Sequence, residues 1–317
     1  MDVPILAWVG VLSVILALVF VDLLVFNRQA HEIRAREAAI WTGVWVTLGL
    51  GFGGIVAWHW GPTHAGQYLA GYLLEKSLAV DNLFVFAVIF SAFAIPTKHQ
   101  HRVLFWGVMG ALVLRGGFIA AGVAVLGRFH WAMYAFGGLL LYTAWRTWVS
   151  RAEDREAEES TSVVSFLRRF LPVTNRIPGQ HFLTRENGKR VATPLLAALV
   201  AVEIADIVFA VDSVPAVLAV TREPFLVYTS NAFAILGLRA MYFFLAAMLR
   251  RFAYLRVGLV FILAFVGAKM LAVDVIEIPI WVSLIVIVAI LLLSVLVSMY
   301  QAGKRGAAGA PEVESEA

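Results

Sequence analysis

Apolar runs of about twenty residues, separated by short polar breaks, fill almost the whole chain, and this spacing restricts it to helices that cross a bilayer. In hydrocarbon every backbone amide must be satisfied internally, and a run of that length covers a core of about 30 Å as an α-helix. Nine spans follow, at about 3–26, 39–58, 67–95, 102–126, 131–149, 193–220, 225–249, 255–272 and 279–300. The composition agrees, because 61% hydrophobic and 15% charged residues with a mean hydropathy of +0.85 exclude an ordinary soluble domain. The first run has no basic leader and no small-residue cleavage site, so it reads as a retained span. The expected fold class is all-α, a polytopic membrane helix bundle.

Basic residues fix the expected orientation. With nine spans and the N-terminus outside, the cytoplasmic segments hold eighteen Lys and Arg residues, and the external ones hold only Arg128 and Arg222. The C-terminus is then cytoplasmic. Topology accounts for the net charge of +4, and nucleic acid is not an expected partner; the lipid bilayer is. The chain divides into spans 1–5 over 1–149, a cytoplasmic loop over 150–192, spans 6–9 over 193–300 and a disordered tail over 301–317. The loop opens on the charge run Arg151 to Glu159, continues through an amphipathic stretch at 163–171, and carries Asn187-Gly188 between short mixed runs, the signal of a β-hairpin. No cysteine is present, so disulfides, thiolate metal sites and cysteine nucleophiles are excluded.

An internal repeat lies inside the spans. Residues 75–82 read Glu-Lys-Ser-Leu-Ala-Val-Asp-Asn and residues 206–213 read Asp-Ile-Val-Phe-Ala-Val-Asp-Ser, both fitting acidic-x-x-apolar-Ala-Val-Asp-(Asn/Ser). A Leu-Arg pair follows each, at Leu114-Arg115 and Leu238-Arg239. Spans three and six cross in opposite directions, so spans 3–5 and 6–8 are expected to form an inverted three-helix repeat, the device of many secondary transporters.

Charged side chains near the bilayer centre are costly and need partners or a wet cavity. Here the acids are Asp22, Glu75, Asp81, Glu203, Asp206 and Asp212, and the bases are Lys76, Arg115, Arg239 and Lys269, a surplus of carboxylates that favours a cation. At about 100° per residue Glu75 shares a helix face with Asn82, and Asp206 with Ser213, while Asp81 and Asp212 lie about 120° from their preceding acids. Pro215 removes an amide and clashes with the Val211 carbonyl, so a kink or a break near Val211 and Asp212 is expected.

Carboxylates with amide and hydroxyl oxygens form a hard site suited to Mn²⁺, Ca²⁺ or Mg²⁺, and no histidine lies at the middle of a span to favour zinc. Protons could couple through the same carboxylates. The expected metal-contacting set is Asp81 and Asp212 as direct ligands, with Glu75, Asp206, Asn82, Ser213 and Glu203 completing or relaying the site. Asp22, Asn231, Arg115, Arg239 and Lys76 are pathway residues or counter-charges. No resident cofactor is implied, and the ion is cargo. Two readings compete: the acids as ion-pair struts in a structural or assembly protein, and an intramembrane aspartyl protease. The latter lacks its Gly-x-Gly-Asp signature here, and no other catalytic set is present, so the chain is read as not an enzyme.

Three stretches also resemble a known family: Glu75-Lys-Ser-Leu-Ala-Val-Asp-Asn-Leu-Phe-Val-Phe, Thr193-Pro-Leu with Glu203-Ile-Ala-Asp-Ile-Val-Phe-Ala-Val-Asp-Ser-Val-Pro-Ala, and Ser230-Asn-Ala-Phe-Ala-Ile-Leu-Gly-Leu-Arg-Ala. They are similar to the TerC family of membrane proteins, named for tellurium resistance. The resemblance implies a bacterial inner-membrane protein, grouped with the LysE-type exporters, whose better-understood members export manganese.

Overall fold

The computed structural model describes residues 1, 3–26, 35–149, 181–186, 189–246, 255–276 and 278–308. These form ten helices and one hairpin: α1 (Ile5–Phe26), α2 (Ala35–Trp60), α3 (Pro62–Ala92), α4 (Thr97–Arg128), α5 (Ala132–Val149), β1 (Leu183–Glu186), β2 (Lys189–Ala192), α6 (Pro194–Leu218), α7 (Pro224–Ile235), α8 (Leu238–Ala246), α9 (Leu255–Leu271) and α10 (Ile280–Ala308). A helix lies at each of the nine expected spans, and the tenth arises because 225–249 holds two. Five helices, α1, α2, α4, α6 and α10, are by themselves long and apolar enough to cross a membrane.

Burial separates inner from outer helices. Only 11% of the α1 span and 17% of the α10 span is buried against protein, against 50% for α6. The outer helices present Leu6, Phe20, Ile285 and Leu293 outward, an arrangement that water would penalise and lipid rewards. In the interior α3 packs against α2, α6, α7 and α10, while α4 packs against α6 and α7. Small residues set these distances: a Cβ on Gly71 of α3 would lie 2.9 Å from Ser230 Oγ, and one on Gly122 of α4 would lie 2.7 Å from Leu218 Cδ1. The most extensive pair is α5 with α9, where Gly137 and Gly267 face one another and a Cβ on either would sit 3.0 Å from the other's carbonyl oxygen.

Contacts between connecting segments sort the loops onto two ends. At one end the Met1 amine meets Glu223 at 3.0 Å, Trp60 packs on Phe225, Thr221 donates to Gln67, and His130 meets Asp274 at 2.9 Å. At the other, Arg102 stacks over Phe182, and the Thr193 hydroxyl donates to the His181 and Phe182 carbonyls. The hairpin at this second end pairs Glu186 with Lys189 and Leu183 with Ala192. The amphipathic stretch 163–171 lies outside the described residues.

Helix ends follow local chemistry. Pro62, Pro194 and Pro224 each stand in the first turn, where a missing amide costs nothing and φ is already helical. After α3 the chain closes with Ile95 N–H on Phe90 O and Ala94 N–H on Ser91 O, a Schellman closure that holds Ala94 at φ +50° before Pro96. Glycine is the usual residue there. Ala94→Gly is therefore expected to stabilise the protein by about 1 kcal/mol, read as a rise in its midpoint of thermal unfolding in detergent. An unchanged or lower midpoint would contradict the assigned strain.

Two expectations are corrected. The helix α6 runs unbroken through Val211 and Asp212 despite Pro215, and the break falls in the next span, at Leu236 and Gly237 with Gly237 at φ +81°. Proline near a helix end is tolerated when packing holds the chain, and Val214, Pro215, Ala216 and Val217 are all buried. The tail was expected to be disordered from 301, yet α10 continues to Ala308, because Gln, Ala, Lys and Arg favour helix and outweigh the two glycines. Residues 309–317 lie outside the described set.

Candidate functional site

At the centre of the bundle the Arg115 guanidinium of α4 is surrounded by oxygens from three other helices. Nη2 and Nε bond the two carboxylate oxygens of Asp206 on α6, at 2.9 and 3.4 Å. Nη1 donates to Glu75 Oε1 on α3, to Ser213 Oγ on α6 at 3.1 Å and to Asn231 Oδ1 on α7 at 3.0 Å. All five residues are buried, Glu75 completely. Two carboxylates face one guanidinium, so the cluster holds formally one negative charge in excess. In so apolar a setting that imbalance is costly without a further cation or proton. Glu75 Oε2 has no hydrogen-bond partner among the described residues.

Spacing explains the convergence on α6. Asp206 and Ser213 stand two turns apart on one face, and both reach Arg115. On α3 Glu75 and Asn82 stand in the same relation. Asn82 lines a narrow cavity with Arg115, Asp206, Gly107 and Ala111, with about 10 Å³ for the centre of a water-sized sphere, room for roughly one water.

The remaining residues named from sequence lie apart from this shell. Asp212 faces α5, where it accepts a hydrogen bond from Thr143 Oγ1 at 2.9 Å, so it does not join Asp206 at the guanidinium. Asp81 lies on α3, and its side chain is outside the described set. Glu203, one turn before Asp206, lies against Gly110 of α4, where a Cβ would be 2.0 Å from Oε1. Arg239 pairs with Asp22 of α1 at 2.7 Å. The arginines that follow the two motifs therefore differ: Arg115 takes the leading acid of both motifs, and Arg239 takes Asp22, outside either motif. Lys76 extends to the end of α7, donating to Ala234 O at 3.0 Å and Leu236 O at 3.5 Å, and so covers carbonyls freed at the break. Asn231 also donates through Nδ2 to Val227 O.

Sequence reading missed Thr143 and Gly110. An aliphatic hydroxyl in the run Leu-Leu-Tyr-Thr-Ala-Trp was the only signal for the first, and for the second nothing short of the α4–α6 packing distinguishes Gly110 from Gly116 or Gly117. Among the described residues no group of three or more His, Asp or Glu side chains stands ready to hold a metal. Any ion at this centre would be bound by mixed carboxylate, amide and hydroxyl oxygens, the donor set of hard cations.

The protein-family model described as "Integral membrane protein TerC family" matches residues 60–306. The chain is 50% identical over 292 residues to "Uncharacterized membrane protein STKORF319" of Myxococcus xanthus, covering 92% of this chain and 91% of the relative. It is 44% identical over 304 residues to "Putative membrane-bound redox modulator Alx" of Escherichia coli (strain K12), covering 93% and 94%. An "Uncharacterized membrane protein" of Rickettsia felis is 35% identical over 294 residues, covering 93% and 97%. No solved structure matches. With its multi-pass helical bundle and its two acidic motifs, the chain belongs to the TerC family of integral membrane proteins.

Proposed function

We propose that the protein exports a hard divalent cation, Mn²⁺ foremost, from the bacterial cytoplasm, and that it is not an enzyme. The observation that carries this reading is the buried oxygen shell of Glu75, Asp206, Asn231 and Ser213, with more carboxylate charge than its one guanidinium neutralises. Nine inner-membrane crossings with the N-terminus outside and the C-terminus cytoplasmic agree with the distribution of basic residues and with the gathering of loops at two ends. Spans 3–5 and 6–8 act as inverted units whose relative movement gives alternating access, and protons returning through the carboxylates supply the drive. Asn82 and Glu203 lie along the route to the shell. Asp81, about 120° from Glu75 along α3 and matching Asp212 in its motif, is given a relaying role in place of a direct one. Asp212, on the α5 face, relays rather than binds, a revised role for that residue.

The relatives' name as redox modulators enters through metal content on this reading. A chain without cysteine has no thiol–disulfide chemistry of its own. A second reading, a structural or assembly protein in metal or tellurite stress, draws on the three arginine–carboxylate pairs, since buried ion pairs also fix helix register. Inside-out vesicles containing the purified protein decide between them. Vesicles are expected to accumulate Mn²⁺ under a proton gradient, with Mg²⁺ and Ca²⁺ competing more strongly than Zn²⁺. No divalent flux above protein-free vesicles would sink the transport reading.

A further inference from the structure

We propose that Arg115 is a tethered cation that occupies the ion position of the site, so that a divalent ion binds by displacing its guanidinium. The inference rests on the transport reading of this site and adds the event that controls occupancy. Three acceptors, on Glu75, Ser213 and Asn231, converge on Nη1, which has only two hydrogens to give. A strut needs no such excess. Convergence of oxygens from α3, α6 and α7 on one point is the geometry of a cation site, and Glu75 Oε2, fully buried and without a hydrogen-bond partner among the described residues, is a further donor atom in place.

Charge favours the exchange. The two carboxylates together balance one divalent ion, whereas with Arg115 in place they retain one negative charge, and with both cations in place they would carry one positive charge in excess. Only the ion without the guanidinium balances the two carboxylates, which in a low-dielectric interior favours exchange over joint occupancy. The cavity beside Arg115, between Asn82 and Asp206, leaves room next to the shell for about one water-sized ligand. The guanidinium keeps the empty site neutralised enough to close and weakens ion binding enough to permit release, because a site that bound its ion without competition would hold it.

Binding of MnCl₂ to the detergent-purified full chain, followed by loss of the free Mn²⁺ electron paramagnetic resonance signal, tests this. Arg115→Gln is expected to bind Mn²⁺ on the order of a hundredfold more tightly than wild type, the scale of one unit charge a few ångströms away inside a protein. Its transport in vesicles should fall. Millimolar methylguanidinium should restore the weaker affinity in Arg115→Gln and leave wild type unchanged. Arg115→Lys, which retains the charge on a compact ammonium, serves if the glutamine variant does not insert, and is expected to bind several-fold more tightly than wild type. A folded variant with affinity equal to or below wild type would overturn the inference while leaving cation transport standing. No Mn²⁺ binding by wild type or variant would overturn both.

Discussion

Asp206→Asn is expected to abolish Mn²⁺ export and to lower the amount of folded protein, and the two losses separate when Arg115 is changed as well. Asp206 gives both carboxylate oxygens to Arg115 and is only 6% exposed, so the single change removes a two-point contact from a buried guanidinium while Glu75 remains to balance its charge. Removing one partner of a buried pair costs about 3–5 kcal/mol, softened here because asparagine keeps one acceptor in the same place and Glu75 still faces the guanidinium. Replacing both partners by neutral residues of similar shape is often nearly neutral. The double variant Arg115→Gln with Asp206→Asn leaves only Glu75 charged, a single carboxyl that one bound proton neutralises, and should therefore recover part of the lost abundance. If the cluster is only a strut, activity recovers with abundance. If Asp206 is a ligand, export per folded molecule stays at least tenfold below that of Arg115→Gln alone, the lower end of the effect of disturbing a metal's ligand environment. Quantitative blotting beside vesicle Mn²⁺ uptake reads both. Normal uptake by the double variant would remove Asp206 from the site.

Gly237→Ala carries the largest stability loss expected of a one-carbon change. Gly237 sits at φ +81°, where an L-residue costs about 1–2 kcal/mol. A Cβ there would also lie 2.4 Å from Trp45 Cγ and 2.5 Å from Trp45 Cβ. Those atoms belong to the root of a buried side chain on α2 and cannot swing aside, so overpacking adds about 1–3 kcal/mol. The combined loss is about 2–5 kcal/mol, visible as a large fall in the thermal midpoint of detergent-solubilised protein. Transport should suffer too, because this glycine joins α7, which carries Asn231, to α8, which carries Arg239, and Lys76 bonds the carbonyls at that junction. A wild-type midpoint for Gly237→Ala would mean that the junction is not held as described.

The break between α7 and α8 also shows why parts of the site were hard to read. Pro215 was the conspicuous breaker in the sequence, yet it is accommodated near the end of α6 where packing holds the chain. Gly237, inconspicuous within Ile-Leu-Gly-Leu-Arg, ends a helix because α2 places Trp45 against it and Lys76 takes the exposed carbonyls. Propensity alone ranks the two the other way.

Within single helices much of the pattern was legible, the continuity through Pro215 excepted. Transfer cost identified the apolar runs, the seven-residue interval put Asp206 and Ser213 on a common face, Asn187-Gly188 marked the hairpin, and the acidic motifs carried the family resemblance. Each is a property of consecutive residues. Only tertiary structure decided which base meets which acid: Arg115 gathers Glu75 and Asp206, Arg239 turns to Asp22, and Asp212 turns to Thr143. Those choices depend on how far each helix is rotated about its axis and how closely it approaches its neighbours. Contacts such as Gly71 against Ser230 and Gly110 against Glu203 set both, and they join residues more than ninety positions apart, where no periodicity along the chain can register them.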